Sequence, residues 1–436
     1  MAGSAHPGSP GRVRSCAQGA TKGTYIVQDS LWSGGRRRAL RNYQRALGIV
    51  LAAVVIAAVA WLAVSSTRGA STGFQFSAAG DFGAWTGFRT SLDKLNASGS
   101  QFALALGDLS YGGDTGYANT TEAAWCLKFK KFFPSVAIIA GNHDTGAFPP
   151  GEGNINNYTK YCPFPFKNIQ VTGEYGKQYY FDYPRKNPLA RFILISPDLV
   201  FVVDGGEHYV YDVDTPRFQW THDAIESARA GGIPWVIVGM HKPCIGAGEH
   251  QCETGPDILN LLLNEKVDLI LNAHNHNYER SHQLALGAGS CAAIQLHVFN
   301  GDCIVHNGAD GKYQRGSGSV LVIAGTGGRS VDEFVTGDPY AGYFSAWMGN
   351  NTAGNGNGIV TVEVAPDHIA LRTDFDGSYS DSFTIGEFGL FASFVQNLPV
   401  TAPMMIGLVG FGVGTFLVWR ARRAGLKARD FGSRAR

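Results

Sequence analysis

Five short polar motifs in this chain each follow an apolar stretch, and most of them contain or adjoin a glycine. Ligands of α/β proteins bind where parallel strands end, and glycine lets the backbone turn sharply at such points. We therefore expect the polar side chains of all five motifs to converge on one site. Their candidate functional residues are Asp81; Asp108 and Tyr111; Asn142, His143 and Asp144; His241; and His274 and His276.

These residue types suit metal ions of intermediate hardness, because Asp, Tyr and Asn offer oxygen and His offers nitrogen. Asp108 ends a short apolar run, 102–106, and each of its carboxylate oxygens can serve a different cation. Two ions that share Asp108 leave positions open for water and a phosphate oxygen, as a two-metal hydrolase needs. Each motif alone is weak evidence for a metal site, whereas the five motifs together and in this order are strong evidence for one. The predicted metal ligands are Asp81, Asp108, Tyr111, Asn142, His241, His274 and His276.

The elements that must position these residues alternate between strands and helices, which predicts an α/β core. We predict strands at 74–79, 102–106, 136–140, 192–195, 235–240 and 267–271. Helices are predicted from Thr215-Pro216 to Gly231-Gly232 and at about 257–266. Later strands, at 320–324, 358–364, 369–374 and 382–385, have no helices between them. We therefore expect a second, mostly antiparallel sheet packed on the first.

At these residues the chain resembles the calcineurin-like metallophosphoesterases, and within them the purple acid phosphatases. Most of that superfamily has Asp-x-His in the first motif and Gly-Asp-x-x-Asp in the second. Here Gly83 replaces the histidine and Tyr111 ends the second motif, as in the purple acid phosphatase pattern. The resemblance covers about residues 74–385 and implies a four-layer αββα sandwich, an α/β (α+β) fold.

The resemblance implies two metal sites that share Asp108. The first, typically Fe(III), would take Asp81, Asp108, Tyr111 and His276. The second, typically Zn, Mn or Fe(II), would take Asp108, Asn142, His241 and His274. His143 would hydrogen-bond the phosphate or protonate the leaving group, a task that suits histidine, and Asp144 would orient it.

The chain departs from the family pattern at several points. Ala273 stands where the last motif normally has glycine, and Asp144 stands where plant-type members usually have glutamate. We also expect the extra N-terminal β-domain of the large plant forms to be absent. In the loop between Cys244 and Cys252, Glu249 and His250 are candidates for substrate contact, but a disulfide-tied surface loop is the favoured interpretation.

Two uncharged stretches flank the predicted catalytic segment, at 46–67 and 398–419, and each has about the length that spans a bilayer as a helix. Arginine clusters lie before the first and after the second, so the positive-inside rule predicts cytoplasmic termini and an extracellular or luminal catalytic domain. A cleaved signal peptide is the alternative for the first stretch. The predicted segments are a disordered tail at 1–45, a transmembrane helix at 46–67, a metallophosphoesterase domain at 68–390, a transmembrane helix at 398–419 and a basic tail at 420–436.

Six of the seven cysteines lie in the predicted outer segment, and an even set in an oxidising space suggests disulfides. Six cysteines allow about 15 pairings. Short loop spans favour Cys244–Cys252 and Cys291–Cys303, which leaves Cys126–Cys162 as the third pair.

These observations predict a membrane-anchored phosphoesterase of purple acid phosphatase type that hydrolyses phosphate monoesters with a metal-bound hydroxide. A small phosphoester substrate and the membrane are its expected partners, and a net charge of +1 gives no reason to expect nucleic acid. A phosphodiesterase or nucleotidase on the same metals is one alternative. Another is a non-catalytic metal-binding surface protein. The sequence leaves the oligomeric state open.

Overall fold

The computed structural model describes residues 44–45, 47–48, 50–52, 73–83, 86–111, 122–146 and 153–388. Its helices are α1 (Thr86–Ala97), α2 (Glu122–Phe132), α3 (Ile155–Tyr161), α4 (Pro216–Ala230) and α5 (Pro256–Asn264). Its strands are β1 (Phe74–Ala79), β2 (Phe102–Leu106), β3 (Val136–Ile139), β4 (Thr172–Glu174), β5 (Gln178–Tyr183), β6 (Ala190–Ile195), β7 (Val200–Phe201), β8 (Glu207–His208), β9 (Trp235–Met240), β10 (Leu269–Asn272), β11 (Tyr278–Leu284), β12 (Ile304–His306), β13 (Lys312–Gln314), β14 (Ser319–Ala324), β15 (Phe344–Met348), β16 (Gly358–Val364), β17 (His368–Phe375) and β18 (Ser382–Gly386).

Two large mixed sheets hold nearly all of these strands. The first has the order β13-β18-β17-β16-β1-β2-β3, and the second has the order β12-β11-β14-β10-β9-β6-β5-β4 with β15 beside β11. In the first, β1, β2 and β3 run parallel while β16 is antiparallel to β1. In the second, β6, β9, β10 and β14 form the parallel centre.

This arrangement corrects one prediction. The late strands β16, β17 and β18 do not form a separate antiparallel sheet but extend the sheet that β1 begins. The middle strands, predicted to continue the first sheet, form the parallel centre of the second. The error arises because strand partners are chosen by contacts between distant segments, which the local hydrophobic pattern does not encode.

The central strands are buried on both faces, and their alternate residues enter two different cores. In β2, Phe102, Leu104 and Leu106 pack in a cluster that also contains Phe192 and Leu194 of β6, so this core lies between the two sheets. Ala103 and Ala105 of β2 instead join a cluster with Phe88 and Leu92 of α1. Helices therefore cover the outer face of a sheet whose inner face packs on the other sheet, as the predicted αββα sandwich requires.

The helix boundaries follow from capping residues. The Thr215 side chain accepts a hydrogen bond from the Phe218 backbone N–H, and Pro216 occupies the first helical position of α4. Gly231 ends that helix. The next helix, α5, likewise begins with a proline, Pro256. These two helices lie between β8 and β9 and between β9 and β10, so they provide two of the crossovers that parallel strands need.

The three predicted disulfides are confirmed. Cys126 is bonded to Cys162, Cys244 to Cys252 and Cys291 to Cys303. The first joins α2 to the residue after α3, and the second closes the loop that follows His241. The bridges therefore tie together segments that lie outside the strands, and most of their cysteines are buried in the core under the helices.

The predicted membrane-anchored localisation, with both termini cytoplasmic, is contradicted and was wrong. A spanning helix needs about 20 mostly apolar residues, and no described helix is long and apolar enough to meet that need. Within the described residues the longest helix, α4, has 15 residues and carries several charged side chains. The prediction rested on the apolar composition of two stretches and on the arginines that flank them, and neither feature establishes a helix. Apart from residues 47–48 and 50–52, the stretches 46–67 and 398–419 lie outside the described residues.

Replacing a leucine in the core between the sheets should destabilise the fold far more than the same change on a helix surface. Leu104→Ala removes a side chain that is 1% exposed, so the free energy of unfolding should fall by about 2–5 kcal/mol. Leu127→Ala, on α2 at 65% exposure, should change it by less than about 0.5 kcal/mol. Denaturant unfolding of both variants checks this, and equal losses would contradict the assigned core.

Candidate metal centre

The predicted site residues lie just beyond the carboxyl ends of five strands. Asp81 follows β1, Asp108 follows β2 and Asn142 follows β3, all in the first sheet. His241 follows β9 and His274 follows β10, both in the second sheet. The site therefore lies where the strand ends of the two sheets meet, and the contacts described below connect all seven predicted ligands there.

Four of these residues have a left-handed backbone conformation that is uncommon outside glycine. The φ angles are 60° at Asp81, 51° at Asp108, 56° at Tyr111 and 72° at His274. Non-glycine residues in this region carry conformational strain and are often found at functional sites. Asp and His adopt this conformation more readily than most residues, whereas a bulky Tyr111 depends more on the surrounding contacts to hold its turn.

Three atoms that could ligate a metal, from Asp81, Tyr111 and His276, form a first group. The Tyr111 hydroxyl donates to Asp81 Oδ1 at 2.9 Å and lies 3.1 Å from His276 Nε2. His276 Nε2 lies 3.6 Å from the same Asp81 oxygen. Ligands at right angles around a metal with bonds of about 2.1 Å lie about 3 Å apart. The three atoms therefore have the spacing of one metal's ligands.

A second group forms around His241. Its Nε2 lies 3.0 Å from Asn142 Oδ1 and 3.3 Å from Asp108 Oδ1. His274 belongs to the same cluster, since ligand atoms of Asp108, His241 and His274 all lie within 4.8 Å of one another. His241 Nε2 is also 4.0 Å from Asp81 Oδ1, so the two groups adjoin. Asp108 is buried at 1% exposure beside both groups.

Each of the three histidines that are predicted ligands has one ring nitrogen beside an outer partner, a contact that orients the ring. His241 Nδ1 lies 2.8 Å from the Leu106 carbonyl oxygen, and His276 Nδ1 lies 3.1 Å from Asp332 Oδ2. His274 Nε2 lies 3.3 Å from Glu253 Oε1. The nitrogens left for a metal are thus Nε2 of His241, Nε2 of His276 and Nδ1 of His274.

The sequence reasoning missed Asp332 and Glu253 as members of this site. Neither stands in a motif, and no spacing in the sequence connects either one to a histidine. The only available signal for Glu253 was its position directly after Cys252, at the end of the loop that follows His241.

That loop also requires a correction. Residues 244–248 are buried, and the His250 ring stacks on His274 with centroids 3.7 Å apart. The favoured interpretation as a surface loop is therefore wrong for these residues, whereas Glu249 is exposed. The disulfide closes the loop so tightly that its backbone packs inward, where Gly246 and Gly248 approach Asn275.

The two predicted catalytic residues have different surroundings. The His143 side chain is 22% exposed, its backbone N–H donates to Asp108 Oδ1 at 2.9 Å, and its Nε2 lies 3.9 Å from Asp108 Oδ2. Asp144 is fully buried and accepts hydrogen bonds from the backbone N–H groups of Gly141 and Leu109. Asp144 thus joins the loop after β2 to the loop after β3, which differs from its predicted role of orienting His143.

Burial and close charges shift the pKa values of the buried groups in opposite directions. Burial raises the pKa of Asp81 above its ordinary value despite the nearby His276 and His241. Burial also opposes ionisation of Asp108, but His241, His143 and His274 outweigh it and lower the pKa of that carboxyl. Against its burial, the Asp108 carboxylate raises the pKa of His241 to about 9.

His274 behaves differently from His241. Burial lowers the pKa of His274 to about 3, and the neighbouring His241 and His250 act in the same direction. A metal ligand must be the neutral imidazole, so this environment favours the form of His274 that binds a cation. Buried carboxylates, a buried phenol and three oriented histidines together fit a metal centre with two adjacent positions.

Comparisons with known proteins agree with this geometry. Residues 76–278 match the family model of the calcineurin-like phosphoesterases. A purple acid phosphatase of soybean (Glycine max) is 25% identical over 282 residues, covering 62% of this chain and 54% of that protein. The Fe(3+)-Zn(2+) purple acid phosphatase 12 of Arabidopsis thaliana is 24% identical over 255 residues, covering 56% of this chain and 49% of that protein.

A solved structure has the same fold. The purple acid phosphatase from yellow lupin (Lupinus luteus) seeds superposes with a TM-score of 0.50 at 18% identity, covering 73% of this chain and 54% of that one. The chain spans about half the length of the curated relatives it matches. The resemblance drawn from the sequence, to calcineurin-like metallophosphoesterases of the purple acid phosphatase type, is therefore confirmed as a similarity.

The close packing of Gly80 on Ala273 should appear as strong coupling in a double-mutant cycle. A Cβ added at Gly80 would lie 2.3 Å from the Ala273 methyl and 3.0 Å from the Leu106 carbonyl oxygen. Gly80→Ala should therefore lower the free energy of unfolding by about 1–3 kcal/mol through overpacking. Adding Ala273→Gly should recover most of that loss. Thermal or denaturant unfolding of the two single variants and the double variant measures the coupling, and additive effects would exclude the contact.

Proposed function

We propose that this chain, a calcineurin-like metallophosphoesterase related to the purple acid phosphatases, hydrolyses phosphate monoesters at two metal ions held between its sheets. The observation that carries the proposal is the pair of adjoining donor groups around the buried Asp108, with spacings near those of metal ligands. A purely structural metal site would not need a partly exposed histidine, His143, beside the shared carboxylate.

The proposed ligand assignment follows the two groups. Asp81, Tyr111 and His276 hold the first ion, and Asn142, His241 and His274 hold the second, with Asp108 between them. Two oxygen donors and one nitrogen suit the harder Fe(III), whereas two imidazoles and an amide suit Zn, Mn or Fe(II). The Arabidopsis relative, named for Fe(3+) and Zn(2+), supports this pair. Bound there, the two cations would supply an activated water and neutralise charge that develops on the phosphate.

The chain's own residues then bind the phosphate and move a proton. His143 lies beside Asp108 with part of its ring exposed, so it can reach a phosphate oxygen or the leaving group, and we assign it the role of general acid. Asp144 acts as a positioning residue, because its carboxylate holds the backbone of Gly141 and Leu109 on either side of the site. A small phosphate monoester is the proposed substrate.

The purified protein should hydrolyse a simple phosphate monoester and should lose that activity when a chelator removes its metal ions. The substitution His143→Ala should strongly lower the turnover rate. Loss of a general acid typically lowers turnover by about 10²–10⁴-fold. Metal content should stay unchanged, because His143 is not among the proposed ligands. Initial rates with a chromogenic monoester, together with elemental analysis, test this.

The matched control is His222→Ala, which removes a partly exposed histidine on α4 beside Glu265 and should leave the rate unchanged. A parallel assay with a phosphodiester separates a monoesterase from a diesterase. A wild-type protein that binds two metals but hydrolyses neither substrate would instead support the non-catalytic alternative.

Tyr111→Phe should abolish a visible absorption band of the iron-loaded protein. The Tyr111 side chain is 1% exposed and its hydroxyl is hydrogen-bonded to Asp81, so Tyr111 is the proposed source of a tyrosinate-to-Fe(III) transition. Tyr179→Phe is the matched control, since that tyrosine is equally buried and its hydroxyl donates to the Ile138 carbonyl in the core between the sheets. A band that survives Tyr111→Phe would reject the assignment of Tyr111 to the first metal.

A further inference from the structure

A buried lysine stands directly after His241 and does not belong to the proposed ligand set. The Lys242 side chain is 10% exposed, and its ammonium bridges two carboxylates. Its Nζ lies 2.8 Å from Asp198 Oδ2 and 2.5 Å from Glu253 Oε2. The chain therefore places a fixed positive charge against one oxygen of Glu253.

The other oxygen of Glu253 faces two histidine rings. Oε1 lies 3.3 Å from His274 Nε2 and 3.4 Å from His250 Nδ1. These two rings stack at an interplanar angle of 21°. Glu253 thus connects Lys242 to His274, a proposed ligand of the second metal.

Glu253 can orient His274 only if its own carboxylate stays in place. Its side chain is 36% exposed, and a glutamate in that position loses considerable rotamer freedom on being fixed. The bridge from Lys242 and Asp198 removes that freedom. With Nε2 of His274 donating to Glu253, Nδ1 carries the lone pair for a metal.

We propose that Lys242 is a positioning residue for the second metal, because it holds Glu253 against His274 and so fixes which ring nitrogen faces the ion. This inference rests on the metal assignment of the proposed function. It assigns Lys242 no contact with the metal or the substrate.

The first metal should not depend on this bridge. Asp332, the outer partner of His276, is held by its own backbone, whose N–H donates to the His276 carbonyl oxygen at 2.8 Å. The backbone that carries the carboxylate is therefore tied directly to the backbone that carries the ring. Loss of Lys242 should weaken the second site selectively, whereas a general loss of structure would weaken both sites.

The experiment measures zinc and iron per chain after dialysis against graded free Zn²⁺, in wild type and in Lys242→Met. The wild type should retain two ions. In Lys242→Met the zinc concentration that half-fills the second site should rise about tenfold or more, the usual effect of losing an outer partner of a ligand. Occupancy of the first site should not change, and Lys242→Arg should restore much of the second.

Lys177→Met is the matched control, because Lys177 is also buried and bridges two carboxylates, Glu174 and Asp204. It should leave both metal sites intact. Glu253→Gln provides a second test at a partly exposed position, where folding is not at risk, and should reproduce the selective loss. The inference would be overturned if Lys242→Met and Glu253→Gln both bound the second ion with wild-type affinity. It would also be overturned if the variants weakened both metal sites equally. A wild-type protein that holds fewer than two ions would instead reject the proposed function itself.

Discussion

The site depends on the fixed position of one buried carboxylate, Asp108. The chain takes a left-handed turn at both Gly107, with φ of 89°, and Asp108, with φ of 51°. No side chain fits at the adjacent Gly141, where a Cβ would lie 2.1 Å from Asp108 Oδ1. The loops after β2 and β3 are therefore in backbone contact. This contact brings the His143 backbone N–H close enough to donate a hydrogen bond to the Asp108 carboxylate. The strain of these turns is offset by hydrogen bonds and packing from both loops.

The sequence was enough to predict which polar residues the fold brings together, because the signals for them are local. An apolar run, a glycine and a metal-ligating side chain occur within a few residues, and the ends of parallel strands converge in any α/β core. The division of strands between the sheets was not predictable in this way. β16 pairs with β1 although almost 300 residues separate them in the chain, and no feature of either sequence stretch indicates which strand it pairs with. The disulfides were predictable because two of the three close short loops. The membrane localisation failed because hydropathy and flanking arginines describe composition, and neither establishes a spanning helix.

The residues that sequence reasoning missed act through contacts rather than motifs. Glu253 and Asp332 are ordinary charged residues in sequence, and only the fold brings them against histidines of the site. Lys242 joins them through its ion pair with Glu253. Asp144 shows that a residue within a motif can also have contacts that the motif does not predict. Its place in the motif suggested a partner for His143, yet its carboxylate accepts backbone hydrogen bonds from Gly141 and Leu109. A motif identifies which residues belong to a site, but their pairwise contacts depend on loop geometry.

The three outer partners of the histidines differ in how firmly they are held, and this difference bears on the two metal positions. The partner of His241 is the Leu106 carbonyl, part of a core strand that cannot move independently. The partner of His276 is Asp332, which is fixed by a backbone hydrogen bond to the same histidine. The partner of His274 is Glu253, a long side chain that depends on Lys242. Because an outer partner sets both the tautomer and the orientation of a ligand ring, the second of the proposed metal positions has the less rigid support at one of its two histidines, His274. On the proposed ligand assignment, this weaker support lies at the position of the divalent ion.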